Sequence, residues 1–354
     1  MKSERCTFFT FHSLFSIFHF PLSIFHFSLF IFHYNMKKLL LFLTAMSCLA
    51  ISCANEKKTS ASEEVDTPVS GSMTVYVDET LTPIANAEAD IFQHRYEKVH
   101  LTVKEKSENG CIQGLYDDSA KVAMVGRKLT DAERKAFQSI NFNPLETQIA
   151  TDAIALVVNP KNRDTTFTYE QVLSILRGQT TKWSQLGGSV GGDVSIVFDN
   201  ANSGTASYLL ALSGEKAMPK NAYSMKTNLE AVNYVAQHEN AIGVIGWSWI
   251  SDSDDPTTRE YLKKIRLVSI APKGEKAFYK PYQLNLRQGK YPLSREVYMI
   301  QRERRTGLAT GFVRFIYDEI GQTILLKAGL LPVNQQERNI EMKVKPMGKV
   351  TNQP

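Results

Sequence analysis

The sequence predicts an α/β fold, a sheet with helices on both faces. Short apolar, β-favouring runs alternate with capped helical segments through most of the chain, the pattern of layered strands and helices. Three polar turns, at Asp78–Thr82, Asn109 and Ser203–Thr205, each follow a strand. In open α/β sheets, ligands gather at the carboxyl ends of strands. A length of 354 residues suits two domains once targeting segments are set aside.

The chain starts with a near-repeat: Ser16-Ile17-Phe18-His19-Phe20 recurs as Ser23-Ile24-Phe25-His26-Phe27. This repeat, the embedded His residues and Pro21 fit translated upstream DNA better than a membrane helix. Residues 1–35 are therefore expected to be a misplaced start, with Met36 the true one. Met36-Lys37-Lys38 is a short basic region, and Leu39 to Ala50 is an apolar core too short to span a bilayer. Ala50 and Ser52 then place small residues before Cys53. Residues 36–53 resemble a bacterial lipoprotein signal, with Cys53 the lipidated first residue of the mature chain. Ala50 stands where such signals usually carry Leu, and Cys48 is a competing acceptor. An ordinary secretory cleavage is the alternative. Residues 54–70, rich in Lys, Glu, Ser and Thr, read as a flexible tether.

The folded part follows in order. Met73 to Val77 is an alternating strand, Asp78 to Pro83 a turn, and Ile84 to Tyr96 a helix with Ile84, Ala87, Ile91 and Phe92 towards a core. His100 to Val103 is a strand, Ser107 to Gly110 a second turn, and Cys111 to Tyr116 a short helix. Lys121 to Val125 is the next strand, and Thr130 caps a helix from Asp131. Asp152 to Val158 is a strongly apolar strand. Thr168-Tyr169-Glu170-Gln171 is a capping box opening a helix that Gly178 closes. A second box, Thr227-Asn228-Leu229-Glu230, starts a helix to about Glu239, and Ile242 to Gly246 is a strand with close-packing glycines. Ile265 to Ala271 and Arg295 to Gln301 read as strands. Leu308 to Ala328 is helical with a break near Gly321.

Between these lies the central stretch. Val194 to Phe198 is a buried strand, and Ala206 to Leu212 is helical. Asn202, Ser203 and Thr205 suit the head of that helix, where side-chain oxygens meet orphan amides, and Gly204 lets a backbone come close to a ligand. Free N–H groups, hydroxyls and the positive helix end together suit an anion. Plain helix capping is the competing explanation, as a surface ion pair is for Arg127 and an Asx-turn for Asp199.

Composition narrows the function. A net charge of +5 with Lys and Arg scattered among Asp and Glu is no nucleic-acid footprint. Beyond Cys53 the only cysteine is Cys111, so no internal disulfide is expected, and Cys111 suits a small buried position. His94, His100 and His238 lack metal-ligand spacing, and no metal or cofactor is expected. Trp183, Trp247 and Trp249 read as core residues. A hydrolase built on Ser203 would need a base, and the Gly-x-Ser-x-Gly elbow is absent.

Several segments, in order, resemble the phosphate-binding proteins of the phosphate-specific ABC transporter. They are Asp152 to Pro160, Leu176-Arg177-Gly178 with Lys182-Trp183-Ser184, Asn202-Ser203-Gly204-Thr205, Ala241 to Trp247, Tyr291-Pro292-Leu293, and Gly321-Gln322 with Lys327-Ala328-Gly329. The resemblance implies a two-lobe periplasmic-binding-protein fold of type II, with a ligand cleft between lobes joined by two hinge crossings. Lobe 1 is expected over 71–150 plus 275–340, lobe 2 over 151–274, a tail over 341–354, and crossings near 148–152 and between 271 and 292. Implied phosphate contacts are Ser203, Gly204 and Thr205, with Thr80 and Leu81 at the family's Thr-Phe pair and Asn109 in place of a Ser. The family's Arg before Ser-Gly-Thr is Asp199 here, and its Asp after the third strand is Arg127, as if the two charges were exchanged between lobes. On this reading Arg127 donates to phosphate and Asp199 accepts its proton. The implied partners are inorganic phosphate, the membrane permease subunits of an ABC transporter, and a membrane reached through the lipid anchor. A periplasmic monomer is expected. A binding protein or sensor for another oxyanion is the alternative.

Mass spectrometry of the native protein should find a diacyl- or triacyl-modified peptide starting at Cys53. An unmodified peptide running through Ser52-Cys53-Ala54 as the dominant form would reject lipidation there.

Overall fold

The structure, a computed structural model, describes residues 66–334 except 253 and 304. The expected start at Met36, the signal ending at Cys53, the tether as far as residue 65 and the tail 341–354 lie outside the described residues.

The tether expected to run to Ser70 stops sooner. Thr67 and Ser70 bridge to each other, the Asp66 carboxylate pairs with Arg305, and it also takes the Leu308 amide at 3.2 Å. An acidic group at a helix head is held by the orphan donors there, which fastens this short stretch to the folded domain.

The first lobe is built on β1 (Gly71–Asp78), whose buried residues alternate before the strand end closes over. Helix α1 (Thr82–Arg95), β2 (Val99–Lys106), α2 (Glu108–Tyr116) and β3 (Val122–Val125) follow, and β2 and β3 flank β1 in parallel. Helix α3 (Asp131–Ser139) starts at Thr130 with a reciprocal capping box to Glu133.

Strand β4 (Leu145–Val158) is 14 residues long and runs through both lobes. Its first half is partly exposed, and its second half, from Ala153 to Val158, is an unbroken buried run, as expected for a strand covered on both faces. The second lobe continues with β5 (Thr166–Thr168), α4 (Tyr169–Leu176), β6 (Ser195–Phe198), α5 (Gly204–Ser213), β7 (Ala222–Ser224), α6 (Asn228–Gln237) and β8 (Ala241–Gly246). Then come α7 (Pro256–Lys264), β9 (Arg266–Leu267), β10 (Ser269–Ala271) and α8 (Gln283–Arg287). The chain returns through β11 (Ser294–Gln301), antiparallel to both β3 and β4, and ends with α9 (Leu308–Tyr317), α10 (Glu319–Lys327) and β12 (Leu331–Pro332).

One mixed sheet results, in the order β2-β1-β3-β11-β4-β8-β6-β7, with β9 and β12 also on β4. Separate cores pack on its two halves. In the first lobe, Phe92 of α1 meets Phe312 and Phe315 of α9 with ring centres 5.3 and 5.1 Å apart, while Cys111 and Phe137 fill the opposite face. In the second lobe, Phe167 and Trp183 pack with the apolar half of β4, and the Trp183 indole donates to Asn240 O at 3.0 Å. Strands β1, β2, β3 and β6 are each followed by a turn with polar or charged residues, at Asp78–Glu79, Ser107–Glu108, Arg127 and Asp199–Asn200.

Details of the sequence reading change. Ile91 is exposed and Ala87 half-buried; the buried face of α1 is Ile84, Ala85, Glu88, Ala89 and Phe92. The last helical stretch breaks at Asp318, not Gly321, and Gly321 instead lets α10 come against α9. The box at Thr227 is one-sided: Thr227 caps Glu230, but Glu230 turns to the Lys226 amide. The stretch Ile265 to Ala271 divides, because β9 joins β4 and β10 joins β5.

Glu88 is fully buried and both its carboxyl oxygens lack partners. Burial pushes its pKa up to about 9, so it is neutral at pH 7. The folded state therefore holds a proton that the unfolded chain releases near pH 4.5. Stability from this group is complete below that pH and is lost as pH rises towards 9. Calorimetry should show a midpoint falling between pH 5 and 9, and Glu88→Gln should flatten that fall by several degrees. An unchanged slope in the variant would count against a neutral Glu88.

Candidate functional site

The join between lobes is made by side chains at strand ends. Asp78 closes β1 and caps the short turn Glu79–Leu81, with Oδ1 accepting from the Thr80 amide at 3.2 Å and from the Thr80 hydroxyl. Its other oxygen reaches into the second lobe and accepts the Gly204 N–H at 2.7 Å. Glu79 also crosses, taking the Asn228 amide at 3.2 Å and its side-chain N–H at 2.8 Å, while Asn228 Oδ1 takes the Gly246 amide at 3.1 Å. Ser248 donates back to Thr80 O at 3.2 Å. These residues are buried, so each bond satisfies a group that would otherwise cost about 1–3 kcal/mol.

Arg295, at the start of β11, lies opposite Asp152 of β4 in the strand register. Its Nε and Nη2 donate to Asp152 Oδ2 at 3.2 and 3.1 Å, and Nη2 also donates to Thr80 Oγ1 at 2.7 Å. The remaining nitrogen, Nη1, is buried without a hydrogen-bond partner. A Cβ built on either Gly126 or Gly204 would lie 3.0 Å from it. Nη1 thus sits between the turn after β3 and the head of α5, a place only glycines leave open. Burial opposes the charge on Arg295, but Asp152, Asp78 and Glu108 outweigh it and hold the guanidinium protonated. Thr205 Oγ1 at the same helix head is likewise buried and unpartnered.

Ser203 is the N-cap of α5, accepting from the Ala206 amide at 3.2 Å. Its hydroxyl donates to Asp199 Oδ1 at 2.5 Å. Asp199 is fully buried, and Asn228 Nδ2 approaches its other oxygen at 3.4 Å. Across the join it faces Glu79. Burial is the largest cause of a raised pKa in both carboxyls, and the neighbouring Glu79 raises Asp199 further.

Arg127 follows β3, and all its donors are engaged within the first lobe. Nε meets Glu108 at 2.9 Å, Nη1 meets Glu133 at 2.8 Å and Lys128 O at 2.9 Å, and Nη2 meets Asn109 Oδ1 at 3.1 Å and Glu133 at 2.9 Å. A guanidinium has five N–H groups, so none remains for a ligand.

The structure therefore brings Thr80, Ser203, Gly204, Thr205 and Asp199 to one seam. Leu81 packs into the first-lobe core behind it, and Asn109 is exposed with its carbonyl oxygen turned to Arg127. The expected exchange of charges is not what forms: among the described residues no ion pair joins Arg127 to Asp199, and the guanidinium with a buried, unpartnered nitrogen at the seam is that of Arg295. Sequence reasoning missed Arg295, Asp152 and Asn228 as seam residues, and it singled out the turn Asp78–Thr82 without giving Asp78 or Glu79 a contact. Arg295 stands just after the quoted Tyr291-Pro292-Leu293 segment and Asp152 opens another quoted segment, but only their antiparallel register shows that the charges meet.

Two α/β lobes sharing a sheet, with a buried guanidinium and a helix head where they meet, are the arrangement of the type II periplasmic-binding-protein fold. Residues 62–319 match the PBP superfamily domain, and the chain belongs to that family. Several of its relatives are named phosphate-binding proteins. The chain is 24% identical over 286 residues to the phosphate-binding protein PstS of Pseudomonas aeruginosa, covering 75% of this chain and 84% of the relative. It is 24% identical over 311 residues to PstS of Bacillus subtilis, covering 86% and 96%. Among crystal structures, a Clostridium perfringens protein described as a phosphate ABC-transporter substrate-binding protein, with phosphate bound, superposes with a TM-score of 0.63. It shares 25% identity and covers 75% of this chain and 100% of its own. An ABC-type phosphate transport receptor from Vibrio cholerae shares the fold, with a TM-score of 0.58 at 23% identity over 74% of this chain and 100% of that one.

The raised carboxyls of Glu79 and Asp199 have a measurable consequence. Both carboxyls are raised in the fold, so their stability contribution is complete below the ordinary carboxyl range and is lost as pH rises through the raised values. Asp199→Asn removes one charge while keeping an acceptor for Ser203. Its melting midpoint should match the parent near pH 4 and exceed it by about 2–4 °C at pH 8, the shift of roughly 1 kcal/mol. A variant less stable than the parent at pH 8 would count against a raised Asp199.

Proposed function

We propose that the protein is a lipid-anchored, extracytoplasmic solute-binding protein that captures inorganic phosphate between its lobes and delivers it to the permease subunits of an ABC transporter. The observation that carries this reading is the unpartnered Arg295 Nη1, buried beside the head of α5 with the unpartnered Thr205 hydroxyl. A buried cation donor and a helix head ask for an anion, and the relatives named above bind phosphate. Of the expected contacts, Thr80, Ser203, Gly204 and Thr205 form the contact set at the seam, with Leu81 packed behind it and Asn109 turned to Arg127. Arg295 takes the charge-bearing place first assigned to Arg127, which instead braces Glu108 and Glu133. Asp199 acts through Ser203, whose hydroxyl it orients.

No helix among the described residues is long and apolar enough to cross a membrane. In this reading the Cys53 lipid supplies membrane attachment. The crowd of carboxyls at the seam also favours an oxyanion that carries a proton. Sulfate lacks one at neutral pH and would meet carboxylates as an unrelieved like charge.

Isothermal titration should find phosphate binding and no comparable sulfate binding; tighter binding of sulfate, molybdate or arsenate would assign the site to that ion. Arg295→Lys keeps a charge opposite Asp152 but loses the planar fork, and should weaken phosphate at least tenfold, about 1.4 kcal/mol. Arg127→Ala should weaken it less. Parent-like affinity in Arg295→Lys, with the fold retained by circular dichroism, would remove Arg295 from the site.

A further inference from the structure

The helix head that suits an anion already receives one from the chain. Gly204, the first residue of α5, donates its amide to Asp78 Oδ2 at 2.7 Å, and the Thr80 amide and hydroxyl both turn to Asp78 Oδ1. A Cβ built on Gly204 would lie 3.0 Å from Asp78 Oδ1, 3.0 Å from Arg295 Nη1 and 3.1 Å from Glu108 Oε1. The Asp78 carboxyl thus shares one small volume with the free guanidinium nitrogen. Asp78 is wholly buried, and a carboxyl so placed is tolerated only where donors converge on it.

Those donors are the ones an external anion needs. A backbone N–H makes one good hydrogen bond, so the Gly204 and Thr80 amides cannot serve Asp78 and a bound oxyanion together. Asp78 belongs to the first lobe and Gly204 to the second, 126 positions apart, so their bond also ties the lobes. It lies beside the cross-lobe bonds of Glu79 to Asn228 and Ser248 to Thr80 O, which likewise need no ligand.

We propose that Asp78 is a built-in anion: it latches the lobes by seating its carboxyl on the head of α5, and phosphate binds by displacing it. The latch stands on the geometry alone, whereas the displacement rests on the phosphate reading above. Glu108 and Asp152 are paired to their arginines, whereas Asp78 lies beside Arg295 without an ion pair among the described residues and takes its hydrogen bonds from neutral donors, so it is the carboxyl free to withdraw.

Hydrogen exchange of the segment Ser203–Ala206 in the full protein, without phosphate, tests the latch. Asp78→Ala should speed exchange of the Gly204 amide about tenfold or more, and Asp78→Asn, which keeps an acceptor oxygen, should fall between. Parent-like exchange in both variants overturns the latch, and if Asp78→Ala does not fold, Asp78→Asn decides alone. Titration with inorganic phosphate tests displacement: both variants should bind at least tenfold more tightly than the parent. Equal or weaker binding than a phosphate-binding parent overturns displacement. Binding by none of the three proteins sinks the phosphate reading and displacement with it, while the exchange rates still judge the latch.

Discussion

A guanidinium placed where two lobes meet must find a carboxylate without leaving its strand, and Asp152 answers Arg295 from the directly opposed position on β4. Both side chains are almost fully buried, and an unpaired charge at such a site costs about 3–5 kcal/mol. The pairing therefore pins the register of β11 against β4 at the point where the chain passes between lobes. It also fixes where the rest of the guanidinium points. Two of its nitrogens are anchored, so the third faces the glycines of both lobes, and the seam is arranged around that one donor.

Carboxyl groups dominate the surroundings of that donor. Asp78, Glu79, Glu108 and Asp199 come from turns after β1, β2 and β6, each held by amides, a hydroxyl or an arginine. A site of this kind favours neutral or proton-bearing partners, because every added negative charge must displace or neutralise one already there. Under the phosphate proposal, these acids compete with the ligand for the same donors. Cross-lobe bonds made by the protein itself also mean that the closed arrangement does not depend wholly on what is bound, and ligand affinity becomes a difference between two sets of contacts.

Much of this was legible in the residues. Alternation of strand and helix, the caps at Thr130 and Thr168, and the Ser203-Gly204-Thr205 turn were readable because local chemistry decides them: a side-chain oxygen meeting an orphan amide needs only neighbours in sequence. The helix face of α1 was misread because apolar spacing favoured Ile91, while the packing buries Glu88, a residue no periodicity argument places inside.

The sequence by itself determined the α/β class, the order of elements and the turn at the head of α5, since these rest on propensity, capping and period. It could not decide which arginine faces the seam. Arg127 and Arg295 are both single charges at strand ends, and what separates them is who stands nearby: Glu108, Glu133, Asn109 and Lys128 O consume every donor of one, while strand register gives the other a single carboxylate and leaves one nitrogen free. Partners 143 positions apart, such as Arg295 and Asp152, meet only through sheet pairing. Only the tertiary structure sets that pairing, because a hydrogen-bond ladder joins strands without regard to their distance along the chain.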